Sequence, residues 1–347
     1  MGELRIFHTA DWHFGKTVDG YGHTPDHERF FEDFFALAQS RRPDVLLMAG
    51  DIFHRPEPDA AAETLWRAFL ERLAPSSIRH TVIAPGNHDS YEALARPADL
   101  LAAARATVSD ITPESEAVVL READGSPLLG VAAVPFLAES DVGTPDGRLS
   151  VEERCARFEA GVRARYAEVW RRILEACGGH RPPTVAMGHL FVPGCQFRPG
   201  GRPDADRNPL RNVPADAFGD AWDYVALGHI HHGQPVTASL PMRYSGAPLM
   251  LSFNHQHYRH RIIELVFDGA GGLSVEELPV PQRRMFLTLE GTLPDVRTMM
   301  AEVGRRHDAP YVRVRLAEPL TEPVSEQLEA AAREAGVVLC VTEPAAV

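Results

Sequence analysis

Sixteen of the 347 residues are histidines, and the suggestive ones stand in order with aspartate, asparagine and glycine. Asp11 and His13, then Asp51, Asn87 and His189, and last His229 and His231 follow short apolar runs. Imidazole, carboxylate and amide oxygen without thiolate form a donor set for manganese, iron or zinc and not for calcium. One divalent ion takes about four to six ligands, so seven groups suit two ions that share a carboxylate, Asp51. Two ions roughly 3.5–4 Å apart are a clamp for in-line displacement at phosphorus. Taken singly, each piece has an ordinary explanation: Gly50-Asp51 as a turn, Asn87 as a loop stabiliser, His189 as a core histidine. Their joint occurrence behind apolar strands is what those explanations leave out.

Three neighbours add to the set. Cleavage of a phosphoester needs a proton for the leaving alkoxide, and His88, beside Asn87, is the candidate donor. Asp89 is placed to orient the same loop. His54 follows Asp51 by three residues and is either a member of the pocket or a solvent-facing loop histidine. His229 and His231 are two apart in a segment read as extended, which would point both side chains the same way.

The elements that must position these groups are short buried strands. Leu4 to His8, Val45 to Ala49, Thr81 to Ala84, Thr184 to Met187 and Tyr224 to Leu227 each run into one of the polar turns. Helical periodicity covers His27 to Ser40, Ala60 to Leu73 and Val151 to Cys177. Strands alternating with helices predict an α/β sheet, with ligands gathered outside its carboxyl ends. After His232 the closely spaced runs Gln234 to Ala238, Met242 to Ser245, Arg261 to Phe267 and Leu273 to Leu278 predict a second, antiparallel sheet. Pro279 and Pro281 mark a boundary between residues 1–280 and 281–347. Beyond it the order strand, helix, strand, helix, strand predicts a small α/β cap without chemistry of its own.

Composition narrows the functions. Thirty-five basic and 48 acidic residues leave a net charge of −13, which disfavours a general sponge for nucleic acid and requires any phosphate chemistry to depend on local cations. The four cysteines form no Cys-x-x-Cys pair, which argues against a zinc ribbon or disulfide framework. No apolar run reaches the roughly 20 residues of a membrane helix, and the expectation is a cytoplasmic protein. The densest basic groups are Arg198, Arg202, Arg207 and Arg211 in one loop, and His255, His257, Arg259, His260 and Arg261 later. Such runs are usually solvated surface.

In this order, Asp11-Trp12-His13, Gly50-Asp51, Gly86-Asn87-His88-Asp89, His189 and Gly228-His229-Ile230-His231 resemble the signature of the calcineurin-like metallophosphoesterase superfamily. Within it, Asp11-Trp12-His13-Phe14-Gly15, Tyr224 to His231, and Tyr244-Ser245-Gly246-Ala247-Pro248 are similar to the SbcD-type DNA exonuclease subunits. The resemblance implies a sandwich of two β-sheets flanked by helices, with the small cap helping to shape a DNA groove. It implies Asp11, His13, Asp51 and His231 on one ion, and Asp51, Asn87, His189 and His229 on the other, both manganese. His88 matches the catalytic histidine. Gly50-Asp51-Ile52-Phe53-His54 resembles the form of archaeal and eukaryotic nucleases, in which the last histidine assists exonuclease cleavage. Many bacterial members carry aspartate there, and a basic residue is more usual at His232. The implied activities are 3′ to 5′ exonuclease action on duplex ends and endonuclease action on single strands or hairpins, in repair and recombination. The partners expected are DNA, an SbcC-type ATPase subunit and a second copy of the chain, with no membrane. The alternative is a stand-alone enzyme acting on cyclic nucleotides or another small phosphodiester. A protein-binding scaffold would require lost ligands, and all seven are present.

Overall fold

The computed structural model describes residues 2–143, 147–199 and 212–344. Arg202, Arg207 and Arg211 of the basic loop lie outside the described residues. In chain order, β1 (Leu4–Thr9) precedes a small hairpin of β2 (Thr17–Val18) and β3 (Tyr21–Gly22), then β4 (Val45–Met48), β5 (His80–Ile83) and β6 (Ala106–Val108). Next come β7 (Ala117–Arg121), β8 (Pro127–Ala133), β9 (Thr184–His189), β10 (Tyr224–Gly228), β11 (Gln234–Pro235) and β12 (Met242–Tyr244). The chain closes with β13 (Arg261–Phe267), β14 (Leu273–Pro279), β15 (Phe286–Gly291), β16 (Tyr311–Leu316) and β17 (Val338–Pro344).

Two six-stranded sheets result, in the orders β14-β13-β1-β4-β5-β6 and β11-β12-β10-β9-β8-β7. Both are mixed. The first is parallel from β1 to β6 and antiparallel at β13 and β14, and the second is parallel through β8, β9, β10 and β12. The strands read as continuous apolar runs because both faces are covered, as parallel strands require. Val45 and Leu47 point into a core shared with Val131, Val185 and Ala226 of the other sheet. Leu46 and Met48 point the other way, onto Phe30, Phe34, Trp66 and Phe69 of the helices Thr24–Arg41 and Ala60–Leu73. The architecture is therefore an α/β sandwich of two sheets flanked by helices.

The helix Val151–Ala176 covers the second sheet. Ser150 caps it reciprocally: Glu153 N–H donates to Ser150 Oγ at 3.2 Å, and Ser150 N–H donates to the Glu153 carboxylate at 2.8 Å. Its buried residues Phe158, Val162, Tyr166, Val169 and Ile173 recur every three or four positions, each worth about 1.5–3 kcal/mol of apolar burial. Tyr166 also donates its hydroxyl to the Met187 carbonyl at 2.9 Å, fixing the helix over β9.

The four runs after His232 do not form a sheet of their own. β11 and β12 join the second sheet beside β10, while β13 and β14 complete the first sheet beside β1. The reason is burial on both faces: Ile263 and Leu265 enter the core between the sheets, whereas Ile262 packs on the helical side. The five strands that run into polar turns are likewise divided, with β1, β4 and β5 in one sheet and β9 and β10 in the other.

Residues beyond Gln282 form a three-stranded sheet, β15-β16-β17, under the helices Leu293–Arg306 and Glu322–Ala335. It has its own apolar cluster, including Val296, Met300, Val314 and Leu328. It meets the rest of the chain through a smaller cluster of Val18, Met250, Phe253, Phe286 and Tyr311, and through Arg284, which donates to Asp26 at 3.0 Å. Among the described residues no helix is long and apolar enough to cross a membrane.

Candidate metal centre

The polar turns meet where the carboxyl ends of the two sheets adjoin. Hydrogen bonding between the β1 and β4 segments continues past the strands: Asp11 N–H donates to the Gly50 carbonyl at 2.9 Å, His13 N–H to Asp51 at 3.0 Å and Phe14 N–H to Ile52 at 2.8 Å. The first two motifs are thereby locked in register. Asp11, His13, Asp51 and His229 have positive φ, at 59°, 52°, 53° and 92°. Such conformations in non-glycine residues store about 1–3 kcal/mol each and gather at functional sites. The glycines answer close approach: a Cβ on Gly50 would stand 2.4 Å from His189 Nδ1, and one on Gly228 would stand 1.9 Å from the Ala49 carbonyl oxygen.

All seven expected donors are brought together. Ligand atoms of Asp11, His13, Asp51 and His231 lie within 4.8 Å of one another. His13 Nε2 is 3.0 Å from His231 Nε2 and 3.5 Å from Asp51 Oδ2. On the other side, His189 Nε2 is 3.3 Å from the same Asp51 oxygen and 3.2 Å from Asn87 Oδ1, which is 3.0 Å from His229 Nδ1. His229 N–H donates to both oxygens of Asp11, at 3.0 and 3.2 Å, tying the halves together. His229 and His231 are not on one face of a strand. β10 ends at Gly228, and the turn at His229 sends that ring to Asn87 and the His231 ring to His13.

Electrostatics describe a set of groups arranged around positive charge. Burial raises the Asp11 carboxyl to about 8, with the neighbouring Asp51 charge acting in the same direction. Burial also opposes the charge on Asp51, but the His189 and His13 imidazoles and the His88 N–H, at 2.9 Å, hold it well below the usual carboxylate range. His189 is raised to about 9 against the effect of burial, because Asp51 and Asp11 face it. Burial pushes His231 down to about 4 and His13 well below its ordinary value. Asp51 and Asp11 thus favour the charged form of His189, while burial favours the neutral form of His13 and His231, whose ring nitrogens face each other. Nitrogen and oxygen donors converging in this way fit divalent cations, and cation binding takes the deprotonated form of each ligand. His189 donates Nδ1–H to the Ala49 carbonyl at 2.8 Å, which directs Nε2 inward.

The neighbours divide by role. His88 donates Nδ1–H to the His54 carbonyl at 2.9 Å, leaving Nε2 as its free end. The His54 ring stacks on His88 at 5.4 Å and 13°, and its Nδ1 lies 3.4 Å from His13 Nδ1. It belongs to the pocket, and burial together with the Lys16 charge lowers it to about 4. Asp89 accepts from Gly86 N–H and Phe53 N–H at 2.8 Å and from Ile52 N–H at 3.2 Å, and so orients the Asn87-His88 loop against the Asp51 loop. Sequence reasoning missed His27, which holds the Trp12 carbonyl at 2.7 Å, and gave His255 to a basic surface run although its ring lies against His231. Only their tertiary neighbours identify them. Of the later basic group, His255, His260 and Arg261 are buried, and Arg261 pairs with Glu277.

Residues 4–233 match the calcineurin-like phosphoesterase family. The chain is 30% identical to the SbcD component of the nuclease SbcCD from Escherichia coli K12, over 86% of its own length and 74% of that protein. It is 32% identical to the corresponding SbcCD protein of Rhodobacter capsulatus, over 94% of its length and 84% of that protein, and 28% identical to that of Bacillus subtilis, over 74% and 64%. The chain belongs to the calcineurin-like phosphoesterases, enzymes that use divalent metals. Among them it is a member of the SbcD family of SbcCD nuclease components.

Proposed function

We propose that this chain is the DNA-cleaving subunit of an SbcC/SbcD-type complex, a cytoplasmic phosphodiesterase of repair and recombination. In this reading it removes nucleotides 3′ to 5′ from duplex ends and cuts single strands and hairpins. The observation that carries the reading is the meeting of seven donors in two subsets joined at Asp51, in a chain of this family. Asp11, His13, Asp51 and His231 would hold one ion, and Asp51, Asn87, His189 and His229 the other, with manganese as the metal. Two bound ions supply Lewis acidity toward the phosphodiester and neutralise charge that develops on its oxygens.

The remaining work falls to the chain. His88, anchored through Nδ1, presents Nε2 as the proton donor to the leaving alkoxide. His54 stacks on that ring and limits its rotation, so it acts as a positioning residue. Asp89 keeps the loop carrying Asn87 and His88 in register with Asp51. Residues 281–347 act as a cap that shapes the approach of DNA, and a second copy of the chain pairs with the first. With a net charge of −13, attraction of the DNA backbone is local, and its salt dependence should be correspondingly shallow.

The deciding experiment incubates the purified chain and manganese with end-labelled duplex, hairpin DNA and a cyclic nucleotide, each with and without the ATPase partner. Shortened duplex and opened hairpin, increased by the partner and ATP, support the reading. Turnover of the cyclic nucleotide with both DNAs intact overturns it.

A further inference from the structure

Beside the metal centre, Tyr258 of the later basic stretch meets the segment Phe197-Arg198. From His231 a row of rings leads outward: His255 lies edge-on to it at 5.2 Å, Tyr258 stacks on His255 at 4.5 Å, and His232 tilts against Tyr258 at 5.1 Å. Tyr258 donates its hydroxyl to the Phe197 carbonyl. Phe197 lies flat on Phe191, with centroids 5.4 Å apart and planes at 9°, and Phe191 is two residues past His189. Phe191 is 1% exposed and Phe197 41%. The Phe197 ring is thus backed by a core side chain on one side and remains substantially open to solvent.

Single exposed apolar side chains are ordinary on protein surfaces, but this one sits on an anchored backbone. Gln196 N–H donates to Gln234 Oε1 at 2.8 Å, the Gln234 amide returns a bond to the Gln196 carbonyl at 2.5 Å, and Tyr258 holds the carbonyl that follows. A rigid aromatic face loses little conformational freedom when something stacks on it. Arg198, the next residue, is exposed, and its charge reaches Tyr258.

We propose that Phe197 is a stacking platform for an unpaired nucleobase of a DNA strand whose phosphodiester lies at the metal centre, with Arg198 beside it for an adjoining phosphate. This rests on the nuclease reading and narrows its substrate class to single-stranded or opened DNA. A base on an aromatic side chain contributes about 1–3 kcal/mol, and every base has a face to offer, so the site takes any sequence. A base stacked inside a duplex has no free face, and a duplex end must fray or a hairpin loop must open to reach it.

The test titrates a single-stranded oligonucleotide containing 2-aminopurine with the full chain at low salt in EDTA, where stacking is read as fluorescence quenching without turnover. Cleavage with manganese is then compared on the same oligonucleotide and on methyl 4-nitrophenyl phosphate, which is too small to span the two places. Phe197→Ala is expected to abolish the quenching and to raise both Kd and KM for the single strand roughly 5- to 150-fold, with hydrolysis of the small diester unchanged. Phe197→Trp is expected to restore all three. Wild-type quenching and affinity in Phe197→Ala, or failure of Phe197→Trp to restore them, overturns the platform and leaves the nuclease reading standing. A wild-type chain that hydrolyses the small diester but neither binds nor cuts DNA overturns the nuclease reading and the platform with it. Binding of an apolar peptide in place of DNA on the same face would do the same.

Discussion

Around the metal centre the strands stop at residues whose backbone is unfavourable: Asp11, His13, Asp51 and His229 all lie at positive φ. There the buried His13 imidazole faces the half-buried His231 imidazole across 3.0 Å. The C-terminal three-stranded unit ends its elements conventionally. Thr292 donates its N–H and its hydroxyl to the Asp295 carboxylate at the start of the helix Leu293–Arg306, Gly336 closes the helix Glu322–Ala335 in the left-handed region, and its charges pair at the surface, as Arg315 does with Glu343 at 2.8 Å. Its non-glycine positive φ, at Ala309, lies in a bend away from any donor cluster. Strain and unfavourable charge are thus concentrated where metal chemistry is expected, and the doubly covered strands beneath supply the stability that holds them.

That contrast is most severely tested at Asp51, the carboxylate common to both donor subsets. Asp51→Asn is expected to reduce manganese-dependent turnover by more than the roughly 10- to 100-fold that loss of an outer partner costs. It should also erase the stabilisation by manganese, about 2.7 kcal/mol for the wild type at 100 times Kd. Calorimetry with and without metal reads this directly, and an undiminished thermal shift would mean that Asp51 is not a ligand. His88→Ala comes next, with a fall of about 10²- to 10⁴-fold in turnover and unchanged metal content by elemental analysis. Wild-type cleavage by that variant would remove His88 from the proton-donor role.

The other side of the comparison predicts stability changes without chemical ones. Leu328→Ala empties part of the separate C-terminal core and is expected to cost about 2–5 kcal/mol, while hydrolysis of a small diester proceeds at the wild-type rate. Loss of that hydrolysis would show that the two regions are not independent. The smallest effect concerns their contact at Asp26. Burial opposes its charge, but His23 and Arg284 hold its carboxyl below the usual range. A depressed carboxyl adds stability above its ordinary value of about 4 that is lost as pH falls through the depressed one. Asp26→Asn should therefore lower stability by about 1 kcal/mol at pH 7, with the gap from wild type closing in acid. A gap that persists in acid would assign the effect to packing.

The separate character of these regions is partly written in the sequence. Apolar runs ending in Asp, Asn or His are a local signal, and both the strands and their polar turns are where that signal puts them. The helix Ala60–Leu73 and the strand Tyr311–Leu316 fall on their expected bounds because cap, period and length agree. What the sequence does not carry is sheet membership. β13 is buried on both faces, and only the open edge of β1 decides that it joins the first sheet. The same holds for His255, His260 and Arg261, which read as a basic surface run yet are buried. Conversely, Phe197 is a large apolar side chain and is exposed. Burial of isolated polar or aromatic residues depends on neighbours far away along the chain, which no local period records.

One pairing bears on how the molecule is made. β1 lies between β4 and β13, so the strand that leads into Asp11 and His13 gains its second neighbour only when Arg261–Phe267 arrives. During synthesis the first motif is translated early, yet it stays on an unfinished sheet edge until some 250 further residues have emerged. Cation loading should accordingly be a late event in biogenesis, following emergence of the strand Arg261–Phe267.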